Sequence, residues 1–266
     1  MMIFAMISSP NISLIFVNYH SAWQLSLALK SLFLLEESKS FEVIVVNNDP
    51  RERFVLEYLQ KNLSFLLIQN IENKGFASAA NHGARFASGQ ILGFINPDTL
   101  WCQPTLAKIQ NLFFTEKKLG VFGMTLLDSE REHEKWSGGK FPSLAMLLLN
   151  NLSPFSSRRT AEEKEFFEWV SGGGFFISRS IFEELEGFDE NFFLYFEDAD
   201  LCLRVRKAEY AVMREPYMPL IHTGGKSSSS LTVQKKYFYE SQKKFFRKNR
   251  PHHEFMVLQI LHFLLK

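Results

Sequence analysis

The densest group of chemically active side chains lies between Gly187 and Arg204. Aromatic residues there lead directly into acidic ones, in the order Phe192, Phe193, Tyr195, Phe196, Glu197, Asp198 and Asp200. Apolar rings exclude water and neighbouring carboxylates repel added negative charge, so both effects raise the pKa of a carboxyl group. A carboxylate with a raised pKa can act as a general base near neutral pH. The same acids also suit the solvated start of a helix, because they complement the helix dipole.

Three polar turns follow apolar stretches earlier in the chain. Their sequences are Asn18-Tyr19-His20, Asn47-Asn48-Asp49 and Asn96-Pro97-Asp98. Each alone is an ordinary turn sequence, since Asn, Asp and Pro form turns readily. Ligands of parallel sheets bind beyond the carboxyl ends of the strands. Three such turns on one edge of a sheet therefore predict a binding site.

The elements that must position these residues alternate between strand and helix from Ile12 to Asp98. Apolar runs predict buried strands at 12–18, 41–46, 65–69 and 91–95, and helical spacing predicts helices at 21–35, 53–63 and 76–87. Further strands are predicted at 121–127 and 169–178. This alternation with short connections predicts an α/β fold with a doubly wound, mostly parallel sheet flanked by helices. No Gly-x-Gly-x-x-Gly motif follows the first strand, which argues against dinucleotide binding.

Length and charge limit the classes of function. The chain has 266 residues, of which 46% are hydrophobic, and a net charge of +1. That length suits one α/β domain with a small addition, and the near-neutral charge gives no reason to expect a nucleic-acid partner. The two cysteines lack a Cys-x-x-Cys spacing, and neither a signal sequence nor a membrane-spanning run is evident. These features predict a cytoplasmic protein.

Residues 231–266 differ in composition from residues 1–230, so we expect a main domain followed by a helical extension. Basic residues are concentrated at 235–250, and an apolar face follows at 256–265. This pattern fits peripheral docking on an anionic membrane, at the inner face of the cell membrane. It fits equally well a solvated helix packed on the domain. The apolar run at 141–152 likewise predicts either a buried helix or a membrane-contacting one.

Five stretches, taken together and in order, resemble those of the family-2 glycosyltransferases, which adopt the GT-A fold. They are Val17-Asn18-Tyr19-His20-Ser21, Val45-Val46-Asn47-Asn48, Asn73-Lys74-Gly75-Phe76-Ala77 with Asn81 and Gly83, Phe94-Ile95-Asn96-Pro97-Asp98-Thr99, and Gly187-Phe188-Asp189-Glu190 with Glu197 to Arg204. His222 follows at the family's usual place. The chain looks most like the bacterial branch that includes rhamnosyltransferases and related cell-surface polysaccharide enzymes. The resemblance implies a Rossmann-like, mostly parallel sheet.

The resemblance also implies a metal site. Asn96-Pro97-Asp98 matches the family's Asp-x-Asp-type motif with Asn in the first acidic position, so Asp98 would ligate a divalent cation that bridges the donor's diphosphate. Carboxylate and phosphate oxygens suit Mg²⁺ or Mn²⁺, and an imidazole from His222 would favour Mn²⁺. A single histidine is more often structural than a ligand. The order of the motifs is what favours the metal role of His222.

A catalytic base is implied as well, because Asp198 matches the family's base. It would take the proton from the acceptor hydroxyl as that oxygen attacks the anomeric carbon, and a single displacement would invert the anomeric configuration. Glu197 and Asp200 would hold the acceptor, tune Asp198 or begin the helix. Asp200 is also spaced to pair with Arg204 along a helix.

Many family members have Asp at the position of Asn47, where it contacts the base of the donor nucleotide. An amide can still contact a pyrimidine edge, so the departure leaves the choice between UDP- and dTDP-linked donors open. The candidates for binding the donor are Asn18, Tyr19, Asn47, Gly75, Phe76, Asn81 and Asn96. The candidates for lining the sugar or acceptor pocket are Trp169 and the glycines Gly172, Gly173 and Gly174.

These expectations combine into an inverting, metal-dependent glycosyltransferase of hexosyl- or rhamnosyltransferase type. Its partners would be a nucleoside-diphosphate sugar and a glycan or lipid-linked acceptor. A non-catalytic module that only binds sugar or nucleotide is the alternative, since Asn47 and Asn96 are amides where acids are common. A nucleotidyltransferase is disfavoured, because a glycine- and lysine-rich loop after the first strand is missing.

Overall fold

A computed structural model describes residues 10–37, 40–134, 137–144, 165–223 and 231–264 of the chain. Strands and helices alternate in its first half. The strands are β1 (Ile12–Asn18), β2 (Phe41–Asn47), β3 (Leu66–Gln69) and β4 (Ile91–Ile95), and the helices are α1 (Ala22–Leu35), α2 (Arg53–Gln60) and α3 (Phe76–Ala84). The strands and helices predicted for this half are confirmed, with small differences at their ends.

The second half is less regular. Its strands are β5 (Thr99–Trp101), β6 (Leu119–Leu127), β7 (Gly138–Gly139), β8 (Glu165–Phe166), β9 (Trp169–Val170), β10 (Gly174–Ser178) and β11 (Ala211–His222). Its helices are α4 (Leu106–Thr115), α5 (Arg179–Glu184), α6 (Glu197–Lys207), α7 (Leu231–Asn249) and α8 (His252–Leu264). The strand predicted at 169–178 is therefore two strands, separated at residues 171–173.

The sheet has the strand order β3-β2-β1-β4-β10-β6-β11-β5, and β8 pairs with β11. β1 lies between β2 and β4 and is parallel to both. β10 is antiparallel to its neighbours β4 and β6, whereas β11 runs parallel to β6. The α/β fold with a Rossmann-like sheet flanked by helices is confirmed. The sheet was expected to be mostly parallel but is mixed, because β10 is inserted antiparallel between β4 and β6, and β5 and β8 pair antiparallel with β11.

Both faces of the sheet are covered, which explains why the central strands are apolar along their whole length. In β1, Leu14 and Phe16 belong to the hydrophobic cluster beneath α1. Ile15 and Val17 point to the opposite face and join the cluster beneath α3. Burial on two faces fixes the strand register and hence the position of the strand ends.

Helix α7, the first of the two helices in the C-terminal extension, packs on the domain. Phe245 and Phe246 are fully buried in a third hydrophobic cluster that contains Phe192 and Phe196. Lys248 Nζ lies 2.7 Å from Asp189 Oδ2 and 2.9 Å from Asp200 Oδ1. Part of the basic tail is therefore used in contacts within the chain, as the packed-helix interpretation requires.

Some sequence predictions fall outside the described residues. They concern the apolar run 141–152 from residue 145 onward and the last residue of the apolar face at 256–265. Across the ranges that the structure describes, no helix combines the length and the hydropathy needed to traverse a bilayer.

Candidate active site

Polar side chains meet at the carboxyl edge of the sheet. Because β1, β2 and β4 are adjacent and parallel, Asn18, Asn47 and Asn96 lie at the same edge. Asn18 is in register with Asn47, and its Nδ2 donates to Asn47 Oδ1 at 3.0 Å. The last residue of β11, His222, pairs with Thr99, which directly follows Asp98. The polar turns and His222 therefore surround one region.

Asp98 and His222 form the central contact of this region. His222 Nε2 lies 3.1 Å from Asp98 Oδ1 and 3.5 Å from Asn96 Nδ2. The N–H and the hydroxyl of Thr223 both donate to the backbone carbonyl of Asp98, each at 2.9 Å. These bonds fix the backbone of the turn, and the side chains of Asn96 and Asp98 both reach His222.

Glu134 holds the other side of the His222 ring, with its Oε1 2.8 Å from Nδ1. Burial opposes the charged form of the imidazole, but the hydrogen bonds to Asp98 and Glu134 outweigh it and raise the pKa of His222 to about 10. Sequence analysis did not identify Glu134. It lies in a polar stretch between β6 and β7, and nothing in its local sequence indicates a contact with His222.

Asp98 and His222 fit a divalent cation. Two ligand atoms at right angles around an ion with bonds of about 2.1 Å lie about 3.0 Å apart, which agrees with the 3.1 Å between these side chains. A carboxylate on the far ring nitrogen is the usual support of a metal-binding histidine. Among the described residues, no three or more His, Cys, Asp and Glu side chains are arranged to hold an ion by themselves. Substrate oxygens or water would have to complete the coordination.

Asp198 lies in the first turn of α6, and its carboxylate reaches the segment between β9 and β10. The N–H of Gly172 donates to Oδ2 at 2.9 Å, and the N–H of Ala199 donates to Oδ1 at 2.7 Å. Burial raises the pKa of Asp198 above its usual range, and these two hydrogen bonds oppose the rise. The residue is only half-buried, so part of its surface is open to solvent.

Glu197 lies beside Asp198 but is only 6% exposed. Its Oε2 atom is buried and has no hydrogen-bond partner within the described part of the chain. Burial, and after it the negative charge of Asp198, raise the pKa of Glu197 well above its usual range. Burial therefore favours the neutral form of both carboxyl groups, and it does so more strongly for Glu197 than for Asp198.

Gly172 and Gly173 connect the two halves of the site. Gly172 binds Asp198, and the carbonyl of Gly173 accepts a hydrogen bond from the N–H of Asn96 at 3.2 Å. A Cβ atom at position 173 would lie 2.8 Å from Leu126 Cδ1 and 3.5 Å from Asn96 Nδ2, so the close approach favours glycine. Two consecutive residues thus contact Asp198 and the Asn96-Pro97-Asp98 turn.

Gly75 and Phe76 bring the start of α3 to the same place. Gly75 has a φ of +87°, and a Cβ atom there would lie 2.3 Å from the carbonyl oxygen of Phe193. The N–H of Phe76 donates to that oxygen at 2.8 Å. A Cβ atom at Gly172 would lie 3.9 Å from Phe76 Cε1 and 3.7 Å from Asp198 Oδ2. Phe76 and Asp198 therefore border the same space above Gly172.

Asn47 is fully buried, and its amide is used within the protein. Nδ2 donates to the Asp49 carbonyl at 2.8 Å and to Gln69 Oε1 at 2.7 Å, while Oδ1 accepts from Asn18 and from the N–H of Asp49, each at 3.0 Å. An amide side chain offers two donor hydrogens and two acceptor positions, so none is left. The expectation that Asn47 contacts a pyrimidine edge therefore does not fit this structure.

Asn18 has a similar supporting position. It is fully buried, and its Nδ2 also donates to Glu52 Oε2 at 2.8 Å. The carboxylate of Glu52 in turn accepts from the N–H of Ser21 at 3.1 Å, at the start of α1. Asn18 and Asn47 thus form a buried hydrogen-bonded layer at the carboxyl edge of the sheet. This layer supports the more exposed residues next to it.

Tyr19, His20 and Arg51 lie in front of this buried network. The rings of Tyr19 and His20 are 4.1 Å apart. Asp49 joins the group, with His20 Nδ1 at 2.6 Å and Arg51 Nε at 2.9 Å. Burial opposes ionisation of Asp49, but the Arg51 hydrogen bonds and the charge of His20 outweigh it and lower the pKa of Asp49. Arg51, whose side chain is 70% exposed, is a binding candidate that sequence analysis missed.

Asn81 and Trp169, two further predicted binding residues, have their polar groups in structural contacts. Asn81 Oδ1 accepts from the N–H of Phe188 at 2.9 Å, and its Nδ2 donates to the Phe188 carbonyl at 2.8 Å. The indole N–H of Trp169 donates to the carbonyl of Lys140 at 2.9 Å. Asn81 therefore ties the segment before α6 to α3, and only the ring of Trp169 is left for a ligand.

Asp200 lies at the contact between α6 and α7. It is fully buried, and its carboxylate accepts from Arg204 Nε at 2.8 Å and from Asn249 Nδ2 at 2.9 Å, besides the ion pair with Lys248. The predicted pairing with Arg204 is confirmed. The expected catalytic role of Asp200 is replaced by a structural one, because its oxygens are enclosed by these partners.

Known proteins resemble this chain in sequence. A family model described as "Glycosyl transferase family 2" matches residues 13–186. Rhamnosyltransferase WbbL of Escherichia coli (strain K12) is 27% identical over 144 residues, which are 52% of this chain and 53% of WbbL, so the match spans about half the length of that relative. The N-acetylglucosaminyl-diphospho-decaprenol L-rhamnosyltransferase of Mycobacterium tuberculosis (strain ATCC 25618 / H37Rv) is 26% identical over 251 residues, covering 84% of this chain and 81% of the relative.

Solved structures resemble it in fold. GalNAc-T7 with UDP, GalNAc and Mn²⁺ gives a TM-score of 0.65 at 17% identity, covering 82% of this chain and 44% of GalNAc-T7. The mannosyltransferase PcManGT from Pyrobaculum calidifontis, in complex with GDP-Man and Mn²⁺, gives a TM-score of 0.64 at 16% identity, covering 94% of this chain and 68% of PcManGT. At these identities the likeness shows the common GT-A fold.

Proposed function

Since the chain belongs to glycosyl transferase family 2, we propose that it is an inverting enzyme that moves a sugar from a nucleoside diphosphate to an acceptor hydroxyl. One observation carries the proposal. Asp198 accepts a hydrogen bond from the N–H of Gly172, and the next residue, Gly173, binds the backbone of Asn96, whose side chain reaches His222 of the Asp98–His222 pair. A proton acceptor and a cation-binding pair are thus held next to each other.

Asp198 acts as the general base in this proposal. The acceptor oxygen attacks the anomeric carbon, its proton passes to the Asp198 carboxylate, and the bond between the sugar and the diphosphate breaks with its electron pair on the departing phosphate oxygen. One displacement of this kind inverts the anomeric configuration. The neutral form of Glu197, which burial favours, adds no second negative charge beside Asp198.

Asp98 and His222 would hold the divalent cation, Mn²⁺ or Mg²⁺, and Glu134 would orient the histidine. The bound cation would neutralise the negative charge that develops on the leaving diphosphate. Asn96, which lies in the same turn, and Thr223, which binds the backbone carbonyl of Asp98, keep Asp98 in place. Both similar structures contain Mn²⁺, which supports a divalent ion as the cofactor.

The donor nucleotide lies across Tyr19, His20 and Arg51, in front of the buried amides. Arg51 and Tyr19 supply a cationic group and a ring to a UDP or dTDP moiety. The names of the two relatives favour rhamnose as the sugar and a polyprenyl-diphosphate-linked sugar as the acceptor. The ring of Trp169 and Gly173 border the acceptor side.

Radiolabelled UDP- and dTDP-sugars, Mn²⁺ and a bacterial membrane lipid extract test the proposal. We expect label to pass into the lipid fraction with one of the donors, and the new linkage to have the anomeric configuration opposite to that of the donor. Asp198→Asn is expected to abolish the transfer. Donor binding without turnover of any donor would instead favour a binding module, and retention of configuration would contradict the role of Asp198.

We further propose that the enzyme works in the cytoplasm, peripherally on the inner face of the cell membrane. Residues 231–266 carry eight Lys and Arg against two Glu, although the whole chain has a net charge of only +1. Large apolar side chains on α8 are 37–80% exposed, namely Met256, Val257, Ile260 and Phe263. Cations beside an exposed apolar helix face match an anionic lipid surface.

Sedimentation with lipid vesicles tests this membrane contact. We expect binding to vesicles that contain phosphatidylglycerol and little binding to pure phosphatidylcholine. Removing one exposed cation, as in Lys236→Ser, should weaken binding about fivefold, because a basic residue near an anionic surface contributes about 1 kcal/mol. Equal binding to both kinds of vesicle, or formation of dimers in place of vesicle binding, would contradict the contact.

A further inference from the structure

The chain enters α6 through two consecutive residues in the left-handed conformation. Tyr195 has a φ of +71° and Phe196 a φ of +69°. Residues other than glycine rarely adopt this conformation, and it persists only where the surrounding structure holds it. Glu197 and Asp198 follow directly. The direction in which Asp198 leaves the backbone therefore depends on this turn.

Aromatic rings of α7 cover the turn. The ring centroid of Phe196 lies 5.3 Å from that of Phe238 and 5.5 Å from that of Phe245. Tyr195 packs against Phe238 as well, at 5.9 Å. Phe196 is consequently only 8% exposed. Relaxation of the turn would withdraw this ring from its apolar surroundings.

Polar groups of α7 hold the chain on both sides of the turn. Before it, the hydroxyl of Ser241 donates to the carbonyl of Leu194 at 2.7 Å. After it, Lys248 and Asn249 bind the carboxylate of Asp200, each at 2.9 Å. These two anchors on α7, Ser241 at one end and Lys248 with Asn249 at the other, are about two helical turns apart. Their contacts therefore fix both the position and the direction of the segment from Leu194 to Asp200.

We propose that α7 is a positioning element for the catalytic base, with Ser241 and Lys248 as its positioning residues. They hold the left-handed turn so that the carboxylate of Asp198 meets the N–H of Gly172 and stays beside the Asp98–His222 pair. The inference rests on the proposed function in one respect, the role of Asp198 as base. The C-terminal extension is then a part of the active-site framework, in addition to the membrane contact proposed above.

Ser241→Ala and Lys248→Met test the two anchors, and Glu240→Gln, an exposed charge on the same helix, is the matched control. We expect kcat to fall about 10- to 30-fold in both variants, because small displacements of reacting groups cost up to about 100-fold. The KM for the donor should stay within about twofold, since the hydrogen bonds of Asn18 and Asn47 do not involve α7. Lys248→Arg, which restores the cation, should recover kcat to within about threefold of the wild type.

Hydrogen exchange at the Gly172 amide supplies a measurement that does not depend on sugar transfer. We expect it to be about tenfold faster in Ser241→Ala and Lys248→Met than in the wild type, and unchanged in Glu240→Gln, at a temperature where all four proteins are folded. Unchanged exchange in both anchor variants would overturn the proposal. If the wild type transfers no sugar, the proposed function fails, whereas the exchange rates still decide whether α7 positions Asp198.

Discussion

The same substitution at two acids that are two residues apart in α6 should have different consequences. Asp198→Asn removes a half-buried carboxylate whose pKa is raised by burial, and the new amide oxygen can still accept the hydrogen bond from Gly172. Asp200→Asn removes a fully buried carboxylate that pairs with Arg204 and Lys248. We therefore expect Asp198→Asn to lose activity and at most the stability of one hydrogen bond, that from the N–H of Ala199, and Asp200→Asn to lose more stability.

The contacts of the two acids set the magnitudes. Loss of one partner from a buried ion pair costs about 3–5 kcal/mol. The side chains of Arg204 and Lys248 are 21% and 40% exposed, so water compensates part of the loss, and we expect about 2–3 kcal/mol for Asp200→Asn. Loss of a general base lowers kcat about 10²- to 10⁴-fold. Asp200→Asn should lower kcat only about tenfold, through the altered contact with α7.

Urea unfolding followed by tryptophan fluorescence measures the free energy of unfolding, and transfer of labelled sugar measures kcat on the same preparations. A stable Asp198→Asn protein with less than 1% of wild-type activity, beside a destabilised and still active Asp200→Asn protein, would support both assignments. If Asp200→Asn lost more activity than Asp198→Asn at unchanged stability, the two roles would have to be exchanged and the reasoning from burial would be refuted.

Four further variants test separate contacts. Gly173→Ala should cost about 1–2 kcal/mol of unfolding free energy, because its methyl group must displace Leu126; an unchanged urea midpoint would contradict the close approach. Glu134→Gln should weaken Mn²⁺ binding in the presence of UDP about 10- to 100-fold by calorimetry, and unchanged affinity would remove Glu134 from the metal site. Glu197 has a raised pKa, so its neutral form stabilises the fold at low pH and that stability is lost as the pH rises through the raised pKa. Glu197→Gln, which stays neutral, should unfold at a higher temperature than the wild type at pH 8 and at the same temperature at pH 4; equal values at both would refute the buried charge. Asn81→Ala should cost about 2 kcal/mol with an unchanged donor KM, because it leaves two backbone groups of Phe188 unpaired, and a raised KM alone would restore Asn81 to the donor site.

The sheet and its functional edge could be predicted because their signals are local in sequence. A buried parallel strand is a continuous apolar run, and the polar turn that ends it marks the ligand-binding edge. Asn18, Asn47 and Asn96 were expected at one edge and lie there. The resemblance to a known family likewise implied that Asp98 and His222 act together, and the two side chains lie 3.1 Å apart.

The roles of individual side chains were harder to predict, because they depend on which hydrogen-bonding groups distant residues already occupy. Asn47 has the right chemistry for a pyrimidine, but Gln69 and Asn18 use its amide. The acids at 197–200 look alike in sequence. In the structure, Asp200 is buried in an ion pair with Lys248, whereas Asp198 is only half-buried. Only the fold brings these partners together.

Crystals soaked with Mn²⁺ and UDP or dTDP, with data collected at the manganese absorption edge, test the central claim most directly. We predict one anomalous peak within bonding distance of the Asp98 carboxylate and of His222 Nε2, with the diphosphate bound to the same ion and its outer phosphate on the side of Gly172 that faces Asp198. An ion bound elsewhere, or a diphosphate separated from Asp198 by the protein chain, would contradict the account.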